Sequence, residues 1–194
     1  MKHHTLRPRK SRPETPALPK TPDRLHVFPT ALGWMAIVGA GKTLRGLTFG
    51  HASPEAAIDA LPSQVVLVAK SAHWNRPLAR RLRAYAAGAR DDFRDVEVDP
   101  HGLTEFRRRV LRCCRRIPYG KTLTYAQLAA KAGSPRAARA VGRCMAANPV
   151  PLVVPCHRVV AANGGLGGYS APGGIRLKQR LLELESTARP PKPS

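Results

Sequence analysis

Apolar positions in the first half of the chain follow short strand and helix patterns. Residues 33–50, "GWMAIVGAGKTLRGLTFG", hold two apolar runs split by a glycine-rich turn, which predicts a β-hairpin. Residues 53–61 open with a serine followed by a proline, a pattern typical of a helix start. A buried strand is predicted over 64–70, and a helix that ends at a glycine over 76–88. Residues 26–99 are therefore predicted to form a small α/β domain.

Helical periodicity dominates the second half. Residues 102–118 predict a helix with one apolar face and one arginine-rich face. A closing helix is predicted over 173–185, and the breakers Pro100 and Gly102 indicate that this second domain spans 100–187. The apolar face of the first of these helices consists of Leu103, Phe106, Val110, Leu111, Cys114 and Ile117.

Two short helices are predicted between the helix over 102–118 and the closing helix. "TYAQLAAKAG" begins at the expected cap Thr124, and "SPRAARAVGRCMAAN" is expected to use Ser134 as its cap and Pro135 as its first helical residue. A pair of short helices joined by a glycine-containing turn predicts a helix-turn-helix. The surrounding positive charge favours a nucleic-acid-facing second helix over an ordinary solvated one. Its expected DNA-facing side carries Arg136, Arg139 and Arg143.

The net charge narrows the class of partner. The 194 residues include 33 Lys and Arg against 12 Asp and Glu, a net charge of +21. Residues 101–194 hold 17 basic and 3 acidic residues, so this part alone carries +14. Such an excess in a segment that can fold predicts a polyanionic partner, with nucleic acid as the first candidate.

Cysteine spacing and hydropathy argue against metal-binding, disulfide-linked and membrane-spanning proteins, and proline content predicts a disordered segment. The four cysteines form no C-x-x-C pair, which argues against a metal site or a disulfide framework and predicts reduced thiols in a cytoplasmic protein, associated with the nucleoid in a bacterium. No apolar stretch approaches the roughly 20 residues of a membrane span. Residues 1–25 contain five prolines and predict a disordered basic arm, and 188–194 a disordered tail.

A loose phosphate-binding pattern occurs in "AIVGAGKT" (36–43). Phosphate binding by such a loop requires a helix directly after the lysine, with its N-terminus aimed at the phosphate. The residues that follow are β-branched and broken by glycine, so nucleotide hydrolysis is not expected.

Cys156 and His157 are the residues with the clearest chemistry. They lie in "VPLVVPCHRVVAANGGLGG", between apolar runs and a glycine-rich loop. Neighbouring side chains in an extended segment point to opposite faces, so His157 is expected to act on the sulfur only through a water. A nucleophilic thiolate needs nearby positive charge or a base, and the base needs an orienting group. The closing helix offers Lys178 and Glu185 for these purposes.

Three stretches in order resemble the 6-O-alkylguanine-DNA alkyltransferases, also called methylated-DNA–protein-cysteine methyltransferases. They are "IPYGKTLTYAQLA", "AARAVGRCMAANPVPLVVPCHRVV" and "GGYS" followed by "LLELE". The resemblance implies a ribonuclease-H-like α/β domain over 26–99 and a mainly α domain over 100–187 with a winged-helix-like helix-turn-helix. It implies repair of 6-O-alkylguanine, and of 4-O-alkylthymine, by irreversible transfer of the alkyl group to Cys156.

The resemblance also implies a role for each residue of the site. Cys156 is the expected acceptor thiolate, His157 its base through a water, and Glu185 the group that orients the imidazole. Asn148 is expected to tie the turn before the cysteine, and Tyr125 to donate to the base or its leaving oxygen. Further expected contacts are the Val159 carbonyl with the exocyclic amine, the Ser170 amide with the oxygen, Tyr169 as a pocket wall, and Lys178 as the group that orders the loop.

Double-stranded DNA is the partner that the resemblance implies, bound through its minor groove by a monomer. Arg139 resembles the finger that fills the hole left by the extruded nucleotide, and small neighbours permit close approach to the groove. No cofactor, metal or small-molecule methyl donor is expected, because the protein itself accepts the alkyl group and reacts once. The remaining expected DNA contacts are Arg136, Arg143, Ala138, Ala140 and Thr124.

Other functions are compatible with parts of the pattern. A Cys–His hydrolase or transferase acting on a small substrate would use the same dipeptide, but it leaves the arginine-bearing helix pair unexplained. A lesion-binding helix-turn-helix protein without catalysis would flip the base and transfer nothing, but such proteins lack the cysteine. A plain transcription factor would leave Cys156, Lys178 and Glu185 without a purpose.

Overall fold

A four-stranded sheet forms the first layer of the molecule. The computed structural model describes residues 23–61, 70–71, 73–162 and 164–187. Strands β1 (Arg24–Thr30), β2 (Gly33–Ala40) and β3 (Thr43–His51) are antiparallel neighbours, and β4 (Lys70–Ser71) pairs with β1 in parallel, which gives the order β3-β2-β1-β4.

The predicted hairpin is confirmed, and with it the exclusion of a phosphate-binding loop. Residues 36–43 form the end of β2, a two-residue turn and the start of β3, with no helix after Lys42. Gly39 is needed there, because a Cβ atom would lie 2.1 Å from the Thr43 carbonyl oxygen. Strand β1 was not predicted. It contains Pro29, which is tolerated because, among the described residues, β4 pairs only with Arg24 and Leu25 and leaves Pro29 at an unpaired edge.

Helices cover both faces of the sheet. The alternation of side chains along β2 sends Met35 and Ile37 to one face and Ala36 and Val38 to the other. Helix α1 (Pro54–Asp59) packs on the second face, while α2 (Arg76–Ala86) packs on the first, against the main core. Both were predicted. The predicted strand over 64–70 lies almost wholly outside the described residues.

The second half is mainly helical. It consists of α3 (Glu105–Arg115), β5 (Leu123–Thr124), α4 (Tyr125–Lys131), α5 (Ala138–Ala146), a 3-10 turn (Cys156–Arg158), β6 (Val159–Val160) and α6 (Gly174–Thr187). Strands β5 and β6 pair in parallel. The predicted apolar face of α3 is confirmed, because Val110, Leu111, Cys114 and Ile117 are buried in the main core, with Leu103 and Phe106 packed against it.

The predicted start of α5 is wrong. The helix begins at Ala138 and has no side-chain cap, whereas Ser134 and Pro135 belong to a tight turn closed by the Ala137 amide on the Ser134 carbonyl at 2.9 Å. A Ser-Pro pair also favours a turn, with proline at its second position, and this preference overrides the helix-start pattern. Arg136 therefore precedes the helix and does not share a helical face with the later arginines.

The cores of the two halves are continuous. One apolar cluster contains Phe28 and Leu82 of the first half as well as Val110 and Val153 of the second. Backbone hydrogen bonds such as that from the Leu47 amide to the Pro149 carbonyl, 2.9 Å long, connect them. The fold is thus mixed α/β, and the domain boundary at residue 100 stays a prediction.

The folded part of the chain begins before residue 26, which was the predicted start of the first domain. Arg24 and Leu25, which the sequence assigned to the arm, belong to β1, and the rest of the predicted arm and tail lies outside the described residues except Asp23, which is buried. None of the helices among the described residues is long and apolar enough to cross a membrane.

Candidate functional site

Cys156 lies at the floor of a cleft between the helical half and the glycine-rich loop. The residue opens the 3-10 turn after Pro155, and only 6% of its surface is exposed. The cleft has a volume of about 570 Å³. Its other lining residues include five predicted site residues, namely Tyr125, Ala138, Arg139, Tyr169 and Ser170.

Asn148 holds the turn that leads to Cys156. Its side-chain nitrogen donates to the Val154 carbonyl oxygen at 2.7 Å, and its side-chain oxygen accepts from the Val150 amide at 3.2 Å. The amide side chain thereby replaces the backbone partners that a tight turn leaves unpaired. The predicted tie is present.

Burial raises the pKa of the Cys156 thiol, and the side chains of Asn148, Lys178 and Tyr169 offset this only in part. The buried Tyr169 hydroxyl, which has no other partner among the described residues, is one of the groups that lower the pKa of the thiol. The sulfur is therefore a neutral thiol at pH 7 and needs a base before it can attack carbon.

His157 and Glu185 form a buried pair behind the thiol. The imidazole Nε2 lies 2.9 Å from Glu185 Oε1, and because the ionised carboxylate can only accept, Nε2 carries the proton. Nδ1 is buried without a hydrogen-bond partner among the described residues, which leaves it as the acceptor nitrogen. Burial lowers the pKa of His157, partly offset by Glu185, so the ring is neutral at pH 7.

Glu185 is held ionised by several donors. Arg158 approaches it with Nε at 2.9 Å from Oε2 and Nη2 at 2.8 Å from Oε1, and the Gly120 amide donates to Oε2 at 3.0 Å. Burial alone would raise the pKa of Glu185, but the hydrogen bonds from His157 and Arg158 outweigh it and hold the pKa well below its usual range. A fixed anion thus orients the imidazole.

Sequence reasoning missed three members of this network. Tyr85 of α2 donates to Glu185 Oε1 at 2.6 Å, and Arg158 also contacts Asp92 through Nη1 at 3.0 Å. A signal for Arg158 was available, because an arginine inside the apolar run around "CHRVV" must be paired if that run is buried. Tyr85 and Asp92 had no such signal, since they are 72 and 66 residues from their partners His157 and Arg158.

Lys178 ties the glycine-rich loop to the strand after the cysteine. Its Nζ donates to the Val159 carbonyl at 2.6 Å and to the Leu166 carbonyl at 2.5 Å, and burial lowers its pKa. Gly167 in this loop has φ +70°, and a Cβ atom would lie 3.0 Å from the Tyr125 ring. The loop therefore packs directly on Tyr125. The Val159 carbonyl oxygen keeps one lone pair for a second donor.

The predicted DNA contacts fall into two groups. Arg139 and Ala138 line the cleft, whereas Ala140 and Arg143 lie further along α5 and do not line it. Arg136 is in the turn before the helix, and its side chain is exposed. Thr124 caps α4: its hydroxyl oxygen accepts from the Gln127 amide at 3.1 Å, and the Gln127 side chain accepts from the Thr124 amide at 2.8 Å.

The fold and the site define a protein that presents one buried thiol in a cleft, with an imidazole–carboxylate pair behind the thiol and an arginine-bearing helix at the cleft wall. Known proteins resemble this chain in sequence and fold. The family model for the DNA-binding domain of 6-O-methylguanine DNA methyltransferase matches residues 105–187. A methylated-DNA–protein-cysteine methyltransferase of Methanosarcina acetivorans is 36% identical over 161 residues, which is 83% of this chain and 97% of the relative.

The chain belongs to the methylated-DNA–protein-cysteine methyltransferase family. A member from Mycobacterium tuberculosis is 48% identical over 110 residues, 57% of this chain and 64% of that relative. The crystal structure of Mycobacterium tuberculosis OGT in complex with DNA superimposes with a TM-score of 0.74 at 36% identity, covering 86% of this chain and 95% of that one. An enzyme from Pyrococcus kodakaraensis superimposes with a TM-score of 0.63 at 26% identity, covering 85% of this chain and 99% of that one.

Proposed function

We propose that this protein repairs DNA by irreversible transfer of the alkyl group of 6-O-alkylguanine, and of 4-O-alkylthymine, to Cys156. The observation that carries the proposal is that the Cys156 thiol and Arg139 line the same cleft. A hydrolase would need to release the group from sulfur, but a thioether resists hydrolysis, so each molecule reacts once. A lesion-binding protein without catalysis would have no use for the thiol and the base behind it.

The chemistry follows from the positions of the donors and acceptors. His157 Nδ1 takes the thiol proton through a water, and the sulfur attacks the alkyl carbon in line with the carbon–oxygen bond. The carbon–sulfur bond forms as the carbon–oxygen bond breaks, and the electron pair goes to the guanine oxygen. A proton from Tyr125 neutralises the base, and the imidazolium returns the thiol proton to the phenolate, which balances the reaction. Glu185 stabilises the imidazolium in between.

The remaining site residues position the base. The Val159 carbonyl accepts from the exocyclic amine through its free lone pair, and the Ser170 amide donates to the oxygen. Tyr169 forms a wall of the pocket, while Lys178 keeps the loop closed on Tyr125. None of these contacts requires a cofactor or a separate methyl donor, because the acceptor is the protein's own sulfur.

The lesion has to leave the base stack before sulfur reaches it, at a cost of a few kcal/mol. We infer that α4 and α5 act as a helix-turn-helix in the minor groove, where Arg139 fills the vacated space and Ala138 and Ala140 allow close approach. Phosphate contacts from Arg136, Arg143 and the Thr124 hydroxyl fix the register. The protein acts as a monomer in the cytoplasm, and the first half is a ribonuclease-H-like domain that supplies Tyr85 to the site.

Intact-protein mass spectrometry tests the proposal directly. After incubation with an oligonucleotide that contains 6-O-methylguanine, we expect a mass gain of one methylene unit, located on Cys156 by peptide mapping. Cys156→Ser should remain unmodified, while the matched control Cys113→Ser, which alters a half-buried thiol on α3, should react like the natural protein. An unmodified natural protein, or a methyl group on another residue, contradicts the proposal.

A further inference from the structure

The surface of the helical half carries a long stretch of unopposed positive charge. No Asp or Glu occurs between Glu105 and Glu183. The arginines of α3 nevertheless differ in their contacts, because some of them donate hydrogen bonds to backbone carbonyls of the protein. Arg107 donates to the Ala147 carbonyl at the end of α5, Arg109 to the Ala132 carbonyl at the end of α4, and Arg115 to carbonyls of residues 93, 94 and 96.

The engaged arginines satisfy carbonyls that helix and loop ends leave unpaired. Arg112 and Arg116 are different. Their side chains are exposed and make no hydrogen bond or ion pair with any described residue. They keep their full charge for a partner outside the chain.

Arg116 lines a cleft of about 440 Å³ between the end of α3, the loop before β5 and the end of α4. Lys121 and Lys131 line it as well, and both are exposed and unpaired within the described part of the chain. No carboxylate is among the lining residues. Three cations around one concave surface, without a counter-charge, favour a polyanion over a protein or an apolar ligand.

Helix α4 connects this basic cleft to the thiol cleft. Tyr125 at its first residue lines the thiol cleft, and Lys131 at its last residue lines the basic cleft. The six steps from Tyr125 to Lys131, at 1.5 Å each, span about 9 Å. B-DNA carries one phosphate charge per roughly 1.7 Å of its axis, so one duplex presents about five phosphate charges over that length. A bound duplex is therefore long enough to cover the distance between the two clefts.

We propose that the cleft formed by Arg116, Lys121 and Lys131 binds the phosphate backbone of the duplex next to the flipped nucleotide. The proposal rests on the proposed function for the position of the lesion, and it extends the DNA interface from α5 across α4 to α3. The contacts carry no sequence information, as befits a protein that must find a lesion in any sequence context.

The test is the salt dependence of duplex binding. In the triple variant Arg116→Gln, Lys121→Gln, Lys131→Gln, the slope of log K against log of the salt concentration should become shallower by about 0.9 for each phosphate that the variant no longer neutralises. The matched control removes three exposed cations of the first half that pair with no described residue: Lys42→Gln, Arg76→Gln and Arg80→Gln. It has the same net charge, and we expect its slope to stay close to that of the natural protein.

Equal slopes for the two triple variants would overturn the proposal. Methyl transfer from free 6-O-methylguanine base, which has no phosphates, should be unchanged in the triple variant; its loss would show damage to the fold. In that case the single variant Lys121→Gln, whose substitution lies in a loop, replaces the triple variant. A slope shallower by about 0.9 would support the proposal, and an unchanged slope would overturn it. Failure of the natural protein to transfer a methyl group would overturn the proposed function, while the comparison of slopes would still be valid.

Discussion

Arginine has opposite roles in two regions of this molecule. Behind the thiol, Arg158 is 1% exposed and donates to Glu185, to Asp92 and to the Ile117 carbonyl at 2.7 Å. At the cleft wall, Arg139 is exposed and has no partner among the described residues. The two side chains are chemically identical, and only their surroundings differ.

The difference shows how burial determines the use of a charge. A buried guanidinium loses its hydration and needs acceptors from the protein to offset that loss, so Arg158 is fixed and contributes to the fold. An exposed one stays hydrated until a phosphate or a base replaces the water, so Arg139 remains available for DNA. Stability and function should therefore respond in opposite ways when the two residues are changed.

Loss of Arg158 should have the largest effect. In Arg158→Met the buried carboxylate of Glu185 loses its guanidinium partner, while Asp92 keeps only the more distant Arg94 among the described residues, and removal of one partner from a buried pair costs about 3–5 kcal/mol. Urea unfolding followed by circular dichroism measures this loss. Arg112→Met, a matched change at an exposed and unpaired position, should alter stability by less than about 0.5 kcal/mol. A similarly small loss of stability in both variants would contradict the expected difference between a buried and an exposed arginine.

Loss of Arg139 should leave the fold intact and damage repair in the duplex. In Arg139→Ala the space left by the flipped base is not filled, and a cost of about 1.4–2.8 kcal/mol lowers the rate of methyl transfer from duplex DNA roughly ten- to a hundredfold. The reaction with free 6-O-methylguanine base needs no flipping and should keep its rate. Single-turnover kinetics on the two substrates measure the ratio, and equal losses on both would contradict the finger role.

Lowering the pH should reduce the free energy of unfolding gradually, and the reduction should be smallest near neutral pH. The folded protein keeps the pKa of His157 below the ordinary value of 6.5, so below that pH the unfolded chain binds more protons and stability falls. Glu185, whose pKa is also lowered in the folded state, adds a second loss below its ordinary value of 4.5.

NMR titration of the His157 ring isolates its contribution from that of His26 and His51, whose pKa values burial also lowers. A midpoint above 6.5 for His157 would contradict the assignment. The urea concentration at the midpoint of unfolding should also decrease as the pH is lowered from neutral to about 4.

Local patterns predicted most elements but not all of their limits. The caps Ser53 and Thr124 and the apolar face of α3 are confirmed, because hydrogen bonds and periodicity within a few residues decide them. The start of α5 was wrong because the residues around Pro135 satisfy a turn as well as a helix start. Strand β1 was not predicted, and only its partners show that Pro29 lies at an edge.

For the site, the ordered motifs and the family resemblance brought together Cys156, His157, Glu185 and Asn148, and the structure places them side by side. Tyr85 and Asp92 were not predicted, because they contact the network from a distant part of the chain. Likewise, nothing in the spacing of the arginines distinguishes Arg115, the last residue of α3, which binds three carbonyls, from Arg116, the cap that follows it, which has no partner among the described residues.

The sequence by itself determined the helical and strand periods, the excess of positive charge and the presence of a thiol next to an imidazole. These are properties of composition and of neighbours along the chain. Only the tertiary structure decided which cations are buried and paired, which remain exposed for DNA, and that a carboxylate 28 residues from His157 orients its ring. The physical reason is that hydration and ion pairing depend on what lies nearby in space, and packing of distant segments sets that environment.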